Sequence, residues 1–91
     1  MSDLNSKEFT IATNIVKKLP TTPNNSELLE LYSYYKQATV GDINIDKPGF
    51  LYVKDRQKWD SWNERKGLTM KEAETKYIDL VLQLTTKYPK H

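Results

Sequence analysis

Apolar side chains recur along this chain at intervals of three and four, and a few helix-stopping residues divide the series. Phe9, Ala12, Val16 and Leu19 form the first series, the spacing of one face of an α-helix. Asn5 or Ser6 can cap its start and Pro20 forbids continuation, so a helix is predicted over 6–19. Leu28, Tyr32, Tyr35 and Thr39 form a second series, overlapped by Leu29, Tyr32 and Lys36. Asn25 or Ser26 suits its N-cap, Glu27 and Glu30 its positive dipole end, and Gly41 the left-handed position after its end. This predicts a helix over 26–40.

A third stretch, 54–66, is almost wholly polar apart from Trp59 and Trp62, which lie three apart and share a face. Gly67 ends it. The fourth opens on Thr69-Met70-Lys71-Glu72, a capping box, with Leu68 placed to staple against Ala73. Ala73, Tyr77, Leu80, Val81, Leu84 and Tyr88 then run as one stripe over 69–88, and Lys87 and Lys90 suit its negative dipole end. Nothing alternates with period two. The pattern predicts an all-α protein of four helices, a single domain over 1–91.

The connection 41–53 is 13 residues long, and loops of that length in compact helical domains are usually functional or disordered. Ile43, Ile45, Phe50 and Leu51 lie within it, which predicts a loop packed on the bundle or lining a pocket.

Composition narrows the chemistry. Fourteen Lys/Arg against twelve Asp/Glu leave a net charge of +2, too mild for nucleic-acid binding by bulk electrostatics. Cysteine is absent, which removes disulfides, thiolate nucleophiles and zinc–thiolate sites together. No stretch nears the roughly 20 apolar residues of a membrane-spanning helix, nor does the charged N-terminal segment read as a secretory signal. A soluble, cytoplasmic protein without membrane insertion is expected. The one histidine is the terminal His91, where it cannot be positioned as a general base, so no Ser-His-Asp set can be assembled and no enzyme is expected.

Binding chemistry gathers in two runs. In Tyr32-Ser33-Tyr34-Tyr35-Lys36, Tyr32, Tyr35 and Lys36 fall on one face while Tyr34 points elsewhere. A phenol and an ammonium one turn apart make a phosphate grip, and a neighbouring ring offers a surface for a purine. Tyrosines at this spacing also suit a core with wet hydroxyls. Lys54 and Lys58 share a face four residues apart; if it meets Lys36, three cations converge. Two other readings compete: a protein-interaction bundle presenting Trp62 and Tyr34, and a binder of single-stranded nucleic acid.

With these residues in view, the chain resembles the acyl-CoA-binding protein family. The resemblance rests on Tyr32-Ser33-Tyr34-Tyr35-Lys36-Gln37-Ala38-Thr39-Val40-Gly41-Asp42-Ile43-Asn44, on Pro48-Gly49, on Lys58-Trp59-Asp60-Ser61-Trp62-Asn63-Glu64 and Lys66-Gly67, and on Ala73 with Tyr77-Ile78-Asp79. It extends from about Phe9 to Tyr88, with departures at Thr13, Thr22 and Leu28, where the family commonly carries alanine, lysine and methionine. It implies an up-down-down-up four-helix bundle with an open ligand bowl. It also implies a monomeric carrier and pool former that binds medium- to long-chain acyl-CoA non-covalently and needs no cofactor or metal. By the matching positions Tyr32 and Lys36 would hold the ribose 3′-phosphate, assisted by Lys58, with Lys54 nearby. Tyr35 would lie beside adenine, Tyr77 would close the site from the last helix, and Lys17 would contribute from the first. Ser33 and Tyr34, inside the same motif, are counted as candidate contacts.

Overall fold

The computed structural model describes residues 5–89, so Lys90 and His91, each invoked above, lie outside the described residues. Four helices follow in order: α1 (Lys7–Lys17), α2 (Asn25–Thr39), α3 (Val53–Asn63) and α4 (Met70–Lys87). Their starts follow local side-chain chemistry. Ser6 accepts the Phe9 N–H through its hydroxyl, and Thr69 and Glu72 complete the anticipated capping box. For α2 the cap is Asn24, earlier than expected, because a second box forms. The Asn24 Oδ1 accepts the Glu27 N–H at 2.9 Å while Glu27 accepts the Asn24 N–H at 2.9 Å. Of three good capping residues in a row, the one three before a glutamate wins. The first helix ends at Lys17 rather than Leu19, since the residue before Pro20 is barred from helical ψ.

The direction of each helix is set by polar clips at its ends. Glu74, buried near the start of α4, accepts from the Asn5 amide at 2.7 Å and the Ser6 N–H at 3.1 Å, and Asn5 also donates to the Ala38 carbonyl at the end of α2. At the opposite end of the bundle Lys87 and the Tyr88 hydroxyl reach Glu27 at 2.7 and 2.8 Å. Helices α1 and α4 are therefore parallel, with α2 antiparallel to both. Lys58 of α3 lies over the Tyr32 ring of α2, and one turn further along both helices Lys36 lies over the Trp62 ring, so α3 runs parallel to α2. The topology is up-down-down-up.

Phe9, Ala12, Leu31, Ala38, Ala73, Tyr77, Val81 and Leu84 make the core. It belongs to α1, α2 and α4, while α3 buries only Trp62 and packs chiefly on α2. Trp62 is 2% exposed and donates its indole N–H to the Gly41 carbonyl at 2.8 Å. A second clip fixes the loops. Gln37, fully buried, donates to Asp42 Oδ1 and to the Leu68 carbonyl, both at 2.8 Å, and the same Asp42 oxygen accepts the Gly67 N–H at 2.9 Å. Gly41 and Gly67 both have φ of +99°, a conformation that a side chain would strain.

Spacing alone leaves the series on α2 open between a core face and a ligand-binding face, and one loop expectation holds only in part. The buried residues of α2 are Leu31, Ser33, Gln37 and Ala38, whereas Leu28 and Tyr35 stay 43% and 42% exposed, so the series is not the core face. Ser33 can face inward because its hydroxyl is bonded there, and Gln37 because its amide N–H groups are, while the Gln37 Oε1 is buried without a partner among the described residues. In the loop 41–53 Ile45 does line a hollow, but Phe50 and Leu51 are 77% and 79% exposed instead of packed.

Candidate functional site

Because the core takes the other face of α2, its apolar stripe is left as one wall of an open groove. Val16 and Lys17 come from α1, Pro23 from the linker, Leu28, Leu31, Tyr32 and Tyr35 from α2, and Tyr77 from α4; together they enclose about 340 Å³. The lining is apolar but for phenol hydroxyls and the Lys17 ammonium. Contiguous exposed apolar surface of this kind marks a place where something binds.

Aromatic contacts stiffen the groove. The Phe9 ring stacks on Tyr35 with centroids 5.9 Å apart and lies 5.0 Å from Tyr77, and Tyr35 and Tyr77 are 6.2 Å apart. Burial, reinforced by Tyr35, pushes the Tyr77 phenol up to about 12. It therefore remains a neutral hydroxyl at physiological pH. Tyr35 also borders a hollow of about 220 Å³ with Asn5, Phe9, Thr10, Thr13 and Thr39.

Tyr32 joins the groove to a second hollow, of about 220 Å³, lined also by Ile45, Pro48, Asp55, Lys58 and Trp59. The Lys58 Nζ lies 5.6 Å from the Tyr32 ring centroid, and the Lys36 Nζ, one turn along α2, lies 5.1 Å from the Trp62 ring. Parallel packing of α2 and α3 thus seats both ammonium groups on aromatic faces, which hold them in place at little desolvation cost. Burial raises the Tyr32 phenol, and the charge of Asp55 raises it further.

The remaining candidates fall elsewhere. Ser33 is fully buried; its hydroxyl donates to the Glu30 carbonyl at 2.7 Å and accepts from the Arg65 Nε at 2.9 Å. Tyr34 lies on another face of α2, with the Arg65 guanidinium 4.2 Å from its ring centroid. These residues anchor the α3–α4 turn to α2 and line neither groove nor hollow. Lys54 is exposed and borders neither cavity. Conversely, Ile45, Pro48 and Asp55 line the hollow without having been singled out as contacts. Asp55 stood within the lysine run, but only the parallel α2–α3 contact turns it toward Tyr32. Another cleft of about 260 Å³, between Ile15, Lys18, Leu19, Pro20, Thr85 and Tyr88, contains none of the candidates.

Among the described residues no group of acidic or histidine side chains could hold a metal ion, and no helix is long and apolar enough to cross a membrane.

The comparison with known proteins follows the same lines. The family described as Acyl CoA binding protein matches residues 6–81. A putative acyl-CoA-binding protein from a Hypsibius species is 51% identical over 81 residues, covering 89% of this chain and 91% of that protein. The acyl-CoA-binding protein of Saccharomyces cerevisiae is 55% identical over 73 residues, covering 80% of this chain and 84% of that one. Among solved structures, acyl-CoA-binding protein 2 of Oryza sativa superposes with a TM-score of 0.85 at 42% identity, covering 89% of this chain and 88% of that one. With the bundle topology, the extent of the match and the level of identity all agreeing, this chain belongs to the acyl-CoA-binding protein family.

Proposed function

We infer that this protein binds acyl-CoA esters non-covalently and serves as their carrier and pool former, without catalysing a reaction on them. The observation that carries the reading is the junction at Tyr32, where an apolar groove meets a hollow flanked by Lys58. Acyl-CoA is an amphiphile with phosphates at one end, a monoester among them carrying nearly −2 at neutral pH. Each methylene taken from water contributes about 0.8 kcal/mol, so a groove burying ten would supply several kcal/mol less the ordering cost. Medium- to long-chain esters are the ligands this arrangement favours.

In this reading Tyr32, Lys36 and Lys58 grip the 3′-phosphate, Tyr35 lies against the adenine and Tyr77 closes the groove with a neutral hydroxyl. Lys17 adds a charge from the C-terminal turn of α1, and Lys54 acts at longer range on the phosphates. The protein works as a cytoplasmic, single-domain monomer with a small-molecule rather than a nucleic-acid ligand.

Titration calorimetry with palmitoyl-CoA, free CoA and palmitate in parallel tests it. Tight one-to-one binding of the thioester, with both fragments far weaker, is the expected result. Absence of binding with palmitoyl-CoA held below its micelle concentration overturns the reading.

A further inference from the structure

Among the described residues the most exposed large apolar side chains lie together at one corner. The Tyr52 N–H bonds to the Gly49 carbonyl at 2.9 Å, closing a tight turn whose two central residues are Phe50 and Leu51, 77% and 79% exposed. Turn corners ordinarily carry Gly, Asn, Asp or Pro because they face water. Tyr52 and Val53 follow at 64% and 59% exposed. Tyr52 stands at the N-cap of α3 and makes no side-chain capping bond there, at a position where Ser, Thr, Asn or Asp would stabilise the helix. Phe50, Leu51 and Tyr52 thus depart from what local stability favours, and neither they nor Val53 gain burial in exchange. Departures of that kind mark functional positions.

The tip is convex, and it is held firmly. The Arg56 guanidinium donates to the Pro48 carbonyl at 2.8 Å, and the Trp59 indole donates to the Ile45 carbonyl at 2.8 Å. Pro48 and Ile45 are also walls of the hollow beside Tyr32, so the tip and the candidate site are mechanically one unit. Charges surround it. Lys47 is paired with Asp60 at 3.1 Å, Asp55 faces the Tyr32 hollow, and Asp46 is exposed. Lys54 and Lys58, following directly on the tip, are in no ion pair among the described residues. A rigid knob of aromatic and aliphatic side chains with uncompensated lysines behind it matches a lipid–water interface, where apolar side chains enter the headgroup layer and lysines meet the lipid phosphates.

We propose that the 50–53 tip docks the protein on an anionic lipid surface, with Phe50 and Leu51 inserted among the headgroups. Docking there brings the mouth of the Tyr32 hollow against the membrane, the phase from which an insoluble acyl chain is collected or into which it is released. The docking itself does not depend on the acyl-CoA reading, since the ligand-free protein presents the same tip.

The test is co-sedimentation of ligand-free protein with phosphatidylcholine vesicles that contain or lack phosphatidylserine, for the native chain and for the double variant F50S/L51S. The native protein is expected on the phosphatidylserine vesicles, with binding that falls as salt is raised. The double variant should lose about tenfold or more in partitioning, while its palmitoyl-CoA affinity in vesicle-free buffer and its melting temperature stay unchanged. Equal vesicle binding by the two proteins overturns the proposal, as does a native protein that does not bind. A variant that loses palmitoyl-CoA affinity in vesicle-free buffer also overturns it, by assigning the tip to the ligand site.

Discussion

Replacing Trp62 with Phe tests how the site is coupled to the fold. Trp62 is the one residue that α3 buries, and its indole both bonds the Gly41 carbonyl at 2.8 Å and carries the Lys36 ammonium 5.1 Å from its ring centroid. Losing the hydrogen bond costs about 1 kcal/mol, because Gly41 is only partly buried and water can reach its carbonyl. Shrinking indole to phenyl in a closed environment removes atoms worth one to two methylenes, about 1–1.5 kcal/mol. Weakening the cation–π contact adds up to about 0.5 kcal/mol. The sum, about 2–3 kcal/mol, is a large share of the stability of a domain this size and corresponds to a fall in Tm of roughly 10–20 °C. Urea unfolding followed by far-ultraviolet circular dichroism measures it, and a lower midpoint with an unchanged slope is expected. Since Lys36 loses its seat, palmitoyl-CoA affinity should fall as well at a temperature where the variant is folded. A stability change below about 0.5 kcal/mol would refute the reasoning, because it would mean that α3 is held by contacts other than Trp62.

Lysine-to-alanine substitution at Lys58 should weaken palmitoyl-CoA binding by about 5- to 30-fold, as expected for a charge-assisted contact near the surface. The loss should shrink for the 3′-dephosphorylated ligand, and calorimetry on both ligands closes the cycle; equal losses would remove Lys58 from the 3′-phosphate. Alkaline stability should decline between pH 10 and about 12. The Tyr77 phenol is raised in the fold, mainly by burial, so its contribution is complete below its ordinary value of 10 and disappears as it ionises near 12. An ultraviolet titration of tyrosinate, compared between the native protein and Y77F, identifies that late transition. At the acid end Glu27 is held below 4.5, first by its bond with Lys87 and then by the Asn24 N–H. Its contribution is present above 4.5 and disappears as pH falls through the lowered value; E27Q, which keeps the capping geometry, should therefore flatten the acid limb of a Tm-versus-pH curve.

How much was legible in advance follows from how local each signal is. The capping box at Thr69 and the helix ends near Pro20, Gly41 and Gly67 depend on neighbours within a turn or two, and the chain carries them openly. The Asn24 cap shows the limit of such reading: three adjacent residues could each cap, and the choice fell to the Glu27 partner. A stripe such as Leu28, Tyr32 and Tyr35 is written identically whether it faces a core or a groove. Which it became depended on Ser33 and Gln37 finding partners inside, in Arg65, Asp42 and Leu68. The same holds for Phe50 and Leu51, whose exposure no apolar count could reveal.

Periodicity, caps and stop residues, all short-range, were enough to specify four helices, and the extended motif around Tyr32 and Trp59 was enough to specify the family. The pairing of helices was settled over distances of tens of residues, by the clips from Glu74 to Asn5, Glu27 to Lys87 and Tyr88, and Arg65 to Ser33. The parallel run of α2 and α3 shows in the Lys58–Tyr32 and Lys36–Trp62 pairs one turn apart, and it leaves Tyr34 on another face. A site that spans helices exists only after the helices have been oriented, because its distances are properties of packing and not of spacing along the chain.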